Sequence, residues 1–303
     1  MSEQFCTLGD VEICYETFGE PEHPPLLLIM GLGMQMIVWH DDFCRMLADR
    51  GFFVIRYDNR DVGRSTRFDG VRPPARLGLL RRPPALLAYT LADMAGDGAG
   101  LLAHLGIEAA HVVGSSMGGM IGQDLAARDP RRVLSLVSLM SSTGSRWAGQ
   151  PALRAYPYLL RDILRPPPAR KEEYVDRAVR FYRLAGSPAF DRDDQALREM
   201  VALSLDRGSS PAGTARQMAA VIAAGNRSAD LGRIKAPTLV IHGTADRLAA
   251  PSGGRATARA IPGARLMLLE GMGHDVPRLW WPRIVGAIAD NGARAPELDA
   301  RRR

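Results

Sequence analysis

The segment Gly114-Ser115-Ser116-Met117-Gly118 matches the pattern G-x-S-x-G, whose central serine can act as a nucleophile. It follows an apolar run typical of a buried strand and precedes the helical pattern MGGMIGQDLAARD. A sharp turn from strand to helix needs small residues, and the two flanking glycines supply them. The helix N-terminus would favour negative charge developing beside Ser116. A chain with 31 glycines can match so short a pattern by chance, so a glycine-lined packing turn is the alternative interpretation.

A nucleophilic serine needs a base, and the base needs an acid that orients it. In α/β enzymes with this turn, the acid and then the base follow the serine along the chain. Of the six histidines, His242 and His274 follow Ser116. His242 lies within the end of a predicted strand, whereas His274 lies in the loop LEGMGHDVP after the last strand, so His274 is the candidate base. Asp246, just past the penultimate strand in PTLVIHGTADRL, is the candidate acid.

Acyl transfer also needs hydrogen-bond donors for the oxyanion. One expected donor is the backbone N–H of Met117, the residue after the serine. The other is the backbone N–H of Leu32, in the loop IMGLGMQ after the third predicted strand. Gly31 and Gly33 allow the main chain of that loop to approach closely.

The elements that must position these residues alternate between short apolar runs and helical periods. Residues 4–18, with Gly9-Asp10 between the halves, predict a β-hairpin. Further strands are predicted in 24–31, 52–58, 111–115, 133–140, 237–243 and 264–271, and helices in 40–50, 90–105, 117–128, 253–260 and 277–290. Strands without polar alternation, interleaved with amphipathic helices, indicate an α/β fold with a mostly parallel sheet covered on both faces.

Two stretches interrupt this alternation. Residues 69–90 contain RPP and RRPP and predict a loop excursion with a short apolar helix. Residues 144–231 show helical periods without a convincing buried strand, so we predict an inserted helical cap, with ordinary packing helices as the alternative. The predicted domains are therefore a core in two parts, 1–143 and 232–292, with the cap between them and a basic tail at 293–303.

Composition excludes several classes of protein. The net charge of +6 is spread along the chain without aromatic residues interleaved, which argues against a nucleic-acid partner. The chain has no run of 18 apolar residues, so no membrane span is predicted, and its first residues predict no signal peptide. The three cysteines, Cys6, Cys14 and Cys44, are too few for a disulfide framework and favour a cytoplasmic protein. No histidines and cysteines have the spacing of a metal site.

With these residues in place, the chain resembles the α/β-hydrolase superfamily over nearly its whole length. RYDNRDVGRST, residues 56–66, is similar to the D-x-R-G-x-G-x-S segment of members with a cap, and Asp61 stands where the usual glycine would be. With GSSMGG and HGTADRL, it most resembles the subgroup that contains anthracycline (aclacinomycin) methylesterase. We expect a structural role for Asp58, Arg60 and Ser65 in the turn after the fourth strand. Members often have His-Gly where this chain has Met30-Gly31.

The sequence thus predicts a serine-dependent carboxylic ester hydrolase that uses Ser116, Asp246 and His274 through an acyl-enzyme, with no cofactor and no metal. Its expected partner is a small to medium, apolar ester. The predicted pocket residues are Gly31, Trp147, Tyr156, Tyr158, Phe181 and Tyr182. Lactonase, thioesterase, C–C hydrolase and acyltransferase chemistry stay open as alternatives, as does a ligand-binding receptor with slow turnover. A homodimer also stays open.

Overall fold

The computed structural model describes residues 2–72, 87–157, 161, 170–190 and 193–295. Within these ranges eight strands form one sheet. They are β1 Gln4–Leu8, β2 Val11–Phe18, β3 Pro25–Ile29, β4 Phe53–Tyr57, β5 Ala110–Ser115, β6 Val133–Leu139, β7 Thr238–Gly243 and β8 Arg265–Leu269. Their order across the sheet is β1-β2-β4-β3-β5-β6-β7-β8. β1 with β2 and β2 with β4 pair antiparallel, and the other neighbours pair parallel, which confirms the predicted α/β class.

The helices of the described ranges cover both faces of this sheet. They are α1 Asp41–Ala48, α2 Leu91–His104, α3 Met117–Arg128, α4 Lys171–Ala185, α5 Asp194–Arg207, α6 Pro211–Ala224, α7 Ser228–Leu231, α8 Pro251–Ala260 and α9 Trp281–Gly292. Successive residues of β5 face opposite sides of the sheet. Val112 packs in one apolar cluster with α2 and α3, and Val113 packs in the other with α1 and α9. This alternation explains why β4 to β7 are buried along their whole length.

Helices α4 to α7 lie between β6 and β7 in the chain. α4 and α5 share a small apolar cluster of their own, formed by Val175, Val179 and Val201. α6 begins with strong local signals, since Ser210 accepts a hydrogen bond from the backbone N–H of Gly213 at 2.9 Å and Pro211 is the first helical residue. Most of the predicted excursion at 69–90 and of the tail at 293–303 lies outside the described residues.

Candidate active site

Ser116 occupies a strained turn between β5 and α3. Its φ of 54° and ψ of −116° are rare for a residue with a side chain. The turn is compact because a Cβ on Gly114 would lie 2.1 Å from the carbonyl oxygen of Gly118, and one on Gly118 would lie 2.1 Å from that of Ile29. The backbone N–H of Ser116 donates to Leu139 O at 2.8 Å and ties the turn to β6. The glycines therefore permit a turn that larger residues would prevent.

His274 joins the serine to a buried carboxylate. Its Nε2 lies 3.0 Å from Ser116 Oγ, and its Nδ1 lies 2.7 Å from Asp246 Oδ2. Because the ionised carboxylate can only accept, Nδ1 carries the proton of a neutral ring and Nε2 is free to accept from the serine hydroxyl. The structure thus brings together the three residues that the sequence predicted as nucleophile, base and acid.

Asp246 is only 4% exposed and remains ionised. Its Oδ1 accepts hydrogen bonds from the backbone N–H groups of Leu248 and Ala249, both at 2.9 Å. Burial would raise the pKa of Asp246, but its favourable electrostatic interaction with His274 and hydrogen bonds from His242, His274 and Ala249 outweigh burial and hold the pKa at about 2. The acid is therefore a permanent negative charge at neutral pH.

His242 is a partner of Asp246 that the sequence reasoning did not assign. It is fully buried on β7, and its Nε2 lies 2.7 Å from Ala249 O and 3.3 Å from Asp246 Oδ2. A carbonyl oxygen can only accept, so His242 Nε2 carries a proton and braces the turn that contains Asp246. Its position four residues before the acid, in HGTAD, was the signal that could have identified it.

The His274 loop is braced by the last residue of α4 and by the segment that follows it. The backbone N–H of His274 donates to Ala185 O at 2.8 Å, and that of Gly273 donates to Ser187 Oγ at 2.9 Å. Asp275 Oδ1 in turn accepts from the backbone N–H of Ser187 at 2.9 Å. Chain inserted between β6 and β7 therefore holds the backbone at Gly273 and His274 and the side chain of Asp275.

Gly31 and Met117 lie beside the serine, and Leu32 follows Gly31 in the loop after β3. Gly31 lies against it, since a Cβ on Gly31 would be 3.1 Å from Ser116 Cβ. Met117 is the first residue of α3, so its N–H has no acceptor within the helix. The departure at Met30 leaves the loop supported, because Asn59 Nδ2 donates to Met30 O at 2.9 Å.

The 56–66 segment connects separate parts of the chain. Asp58 is fully buried and accepts from the backbone N–H of Met36 at 2.7 Å and from both terminal nitrogens of Arg207 at 3.0 and 2.9 Å. Arg60 forms a two-pronged pair with Asp97, with both distances 2.6 Å. Ser65, near the end of the segment, donates to Asp58 O at 2.6 Å. These contacts join the turn after β4 to the loop after β3 and to α5.

The predicted pocket aromatics are in different surroundings. Tyr182 Oη lies 3.0 Å from Met34 Sδ, beside the Leu32 loop, and Phe181 packs edge-on against Tyr182 with ring centroids 6.2 Å apart. Trp147 is 83% exposed and Tyr156 is 46% exposed, and Arg146 lies over the Trp147 ring. Tyr158 lies outside the described residues. Of these aromatics, Tyr182 has a contact with the loop beside the serine.

Among the residues that the structure describes, no three His, Cys, Asp or Glu side chains form a group that could hold a metal ion. Within the same ranges, no helix is both long and apolar enough to cross a bilayer.

Comparison with known proteins identifies consistent relatives. A model of the alpha/beta hydrolase fold family matches residues 24–277. The chain is 33% identical over 294 residues to rhodomycin D methylesterase of Streptomyces sp. strain C5, covering 91% of this chain and 93% of that enzyme. It is 29% identical over 264 residues to 3-oxoadipate enol-lactonase 2 of Acinetobacter baylyi, covering 87% of each. Among solved structures, the enol-lactonase from Burkholderia xenovorans LB400 superimposes with a TM-score of 0.74 at 25% identity, covering 96% of this chain and 100% of that one.

Proposed function

Because the chain belongs to the α/β-hydrolase family, we propose that it is a serine-dependent carboxylic ester hydrolase. The observation that carries this proposal is the continuous arrangement Ser116–His274–Asp246, with 3.0 Å between the first two side chains and 2.7 Å between the last two. The strained, glycine-lined turn that presents Ser116 supports it as well.

In this mechanism Ser116 Oγ attacks the ester carbonyl carbon while His274 Nε2 takes the hydroxyl proton. The backbone N–H groups of Leu32 and Met117 stabilise the oxyanion of the tetrahedral intermediate. Its collapse expels the alcohol, which His274 protonates, and leaves an acyl-enzyme. Water that gives its proton to His274 then releases the acid, while Asp246 holds the imidazole in the reactive tautomer and stabilises its positive charge.

The substrate class follows from the relatives and from the side chains near the loop. A relative named as a methylesterase supports a carboxylic methyl ester as the scissile group. The contact of Tyr182 with Met34 supports an apolar acid portion of small to medium size. We propose that residues 144–231 act as the cap over this site, since Ala185 and Tyr182 both contact loops that flank Ser116. The three buried free cysteines support a cytoplasmic location.

Enol-lactone hydrolysis is a second candidate function. It requires the same nucleophile, base and oxyanion donors, but the leaving group is an enolate, which takes the proton from His274 and stays tethered to the acyl group. The similarity to two enol-lactonases, one in sequence and one in structure, favours it. Initial rates on matched methyl esters, thioesters and enol-lactones separate the candidates, since the true substrate class should give the highest kcat/KM.

Fluorophosphonate labelling tests the proposal directly, because the probe reacts with an activated serine. We expect wild type and Ser115→Ala to label and Ser116→Ala not to label. Ser115 is the matched control, since it is the adjacent serine, is 3% exposed and lies at the end of β5. Ser115→Ala should keep the wild-type turnover of short-chain p-nitrophenyl esters, and Ser116→Ala should lose it. Labelling of Ser116→Ala at the wild-type rate would contradict the assignment.

A further inference from the structure

The loop after β3 forms a β-turn whose conformation depends on one glycine. The backbone N–H of Met34 donates to Gly31 O at 3.1 Å, which closes the turn from Gly31 to Met34. Gly33, in its third position, has a φ of +66°, whereas the non-glycine residues with positive φ among the described residues are Asp61, Ser116 and Met140. Leu32 therefore has a negative φ, and the pair is typical of a type II turn.

This turn determines where the Leu32 amide points. In a trans peptide the C=O and N–H point in opposite directions. Gly31 O is directed into the turn towards Met34, so the Leu32 N–H of the same peptide unit is directed out of it. Gly31 lies directly against Ser116. The turn as observed thus presents the Leu32 amide on the outer side of a loop that contacts the serine.

Glycine alone does not hold this conformation, because it adopts either sign of φ at little cost. The holding contact comes from α6, about 180 residues later in the chain. The backbone N–H of Gly33 donates to Gln217 Oε1 at 2.8 Å. Thr214, one helical turn earlier, occupies the space where a Gly33 Cβ would be, at 2.8 Å from its Oγ1. A shift of the whole turn, which would carry the Leu32 amide with it, would break the hydrogen bond to Gln217, and so would rotation of the Leu32–Gly33 peptide.

Gln217 is itself fixed at both ends of its amide. The side chain is fully buried, and Nε2 donates to Arg60 O at 2.8 Å. Because Oε1 faces an N–H and Nε2 faces a C=O, only this orientation of the amide satisfies both groups. Arg60 is in turn held by its pair with Asp97. The acceptor for Gly33 therefore stands on a rigid support.

We propose that Gln217 is a positioning residue that locks the Gly31–Met34 turn and so aims the Leu32 amide at the oxyanion. This inference rests on the proposed ester hydrolysis, and it assigns to the inserted helices a part in building the oxyanion hole as well as covering it. Gln217 acts through Leu32 and does not touch the substrate.

The test compares three substitutions with a matched control. Gln217→Met removes both hydrogen bonds at similar length, and Gln217→Asn keeps the amide but shortens its reach. Gln217→Glu places a buried carboxyl there, which in its protonated form keeps an acceptor for Gly33 and a donor for Arg60 O. The control is Gln123→Met, since Gln123 is also fully buried but bonds to Ser138 on β6. Each variant is assayed for kcat and KM on a short-chain p-nitrophenyl ester and for thermal unfolding. Each is also assayed for inhibition by an aryl trifluoromethyl ketone, whose carbonyl carbon accepts Ser116 Oγ to form a hemiketal oxyanion while His274 takes the proton.

For Gln217→Met and Gln217→Asn we expect kcat to fall about 10- to 100-fold with KM within about threefold. The inhibition constant of the ketone should rise by the same factor. Gln217→Glu should remain within about fivefold of wild type, and Gln123→Met should match wild type in kcat. If Gln217→Met does not fold, the contrast between Gln217→Asn and Gln217→Glu decides the matter.

The inference is overturned if a folded Gln217→Met or Gln217→Asn keeps kcat within twofold of wild type, or if the ketone binds them as tightly as it binds wild type. Equal losses in Gln217→Asn and Gln217→Glu would also overturn it. Wild type that neither labels with fluorophosphonate nor hydrolyses esters would instead refute the proposed function, and this inference with it. The two failures are therefore distinguishable by the behaviour of wild type.

Discussion

The two halves of the site are held in place by different parts of the molecule. Ser116, Asp246 and His274 stand just beyond the carboxyl ends of β5, β7 and β8, so the sheet itself brings them together. The Gly31–Met36 loop also leaves a strand end, but hydrogen bonds to the inserted segment hold it. Gln217 binds Gly33, and Gln35 Nε2 donates to Ser204 O at 2.6 Å and to Gly208 O at 2.8 Å. The three side chains of the triad therefore leave strand ends of the core, although the insertion also braces the His274 backbone, whereas the Gly31–Met36 loop depends on the insertion at Gly33 and Gln35.

The largest expected effect is the loss of kcat when Asp246 of the core is substituted. Asp246→Asn keeps the size of the side chain but removes the charge that selects the His274 tautomer, so kcat should fall about 10⁴-fold. The measurement is kcat on a p-nitrophenyl ester, with Asp124→Asn as a control that should stay within about twofold. Asp124 lies on α3 and pairs with Arg128. A loss of less than tenfold in Asp246→Asn would contradict the role of this carboxylate.

The next largest expected effect is a loss of stability when the ion pair between Arg207 of the insertion and Asp58 of the core is removed. Arg207→Met would leave the fully buried Asp58 without its charged partner, so the free energy of unfolding should fall by about 3–5 kcal/mol. Urea unfolding measures it. Arg45→Met is the control, because Arg45 is half exposed and its pairs with Asp41 and Asp42 should contribute less than about 1 kcal/mol. Equal losses in the two variants would mean that the buried pair does not anchor α5.

The smallest expected effect isolates the contribution of the Asp246 charge to the free energy of unfolding. The pKa of Asp246 is lowered to about 2 from an ordinary 3.8, so its stabilisation is present above about pH 4 and is lost as the pH falls through about 2. The difference in unfolding free energy between wild type and Asp246→Asn should therefore shrink by about 2 kcal/mol between about pH 5 and pH 2. Ser116→Ala, which removes no titrating group, should show a constant difference. A constant difference for Asp246→Asn would contradict the lowered pKa.

The core half could be predicted from the sequence because its signals are local. An apolar run, a glycine on each side of Ser116 and the carboxyl ends of parallel strands are enough to place Ser116, Asp246 and His274. The antiparallel pairing of β1 and β2 was also predictable, because Gly9 marks the turn between them. In the structure Gly9 takes a φ of +61° there. Apolar runs and turn glycines involve residues that are close together in the chain, so a short window of sequence contains each signal.

The insertion half could not be predicted, because its contacts join distant residues. Gln217 lies in PAGTARQMAAVI, where a polar residue on an amphipathic helix looks like any surface position. Nothing local indicates that it meets Gly33, 184 residues earlier, or that Arg207 meets Asp58. The aromatic content of the insertion predicted a pocket, but periodicity does not separate an exposed ring such as Trp147 from one that contacts the loop such as Tyr182.

The reach of Arg207 has a consequence for how the chain folds. Arg207 also donates to Glu3 at 2.8 Å across a sequence separation of 204 residues, and Ser116 meets His274 across 158. Closing such long loops is entropically expensive and slow, so native contacts of this span form late. A nascent chain that has completed β6 can assemble much of the sheet and the serine turn, yet it lacks both the base and the support of the oxyanion loop. We expect hydrolytic activity to appear only at the end of folding, after most secondary structure has formed.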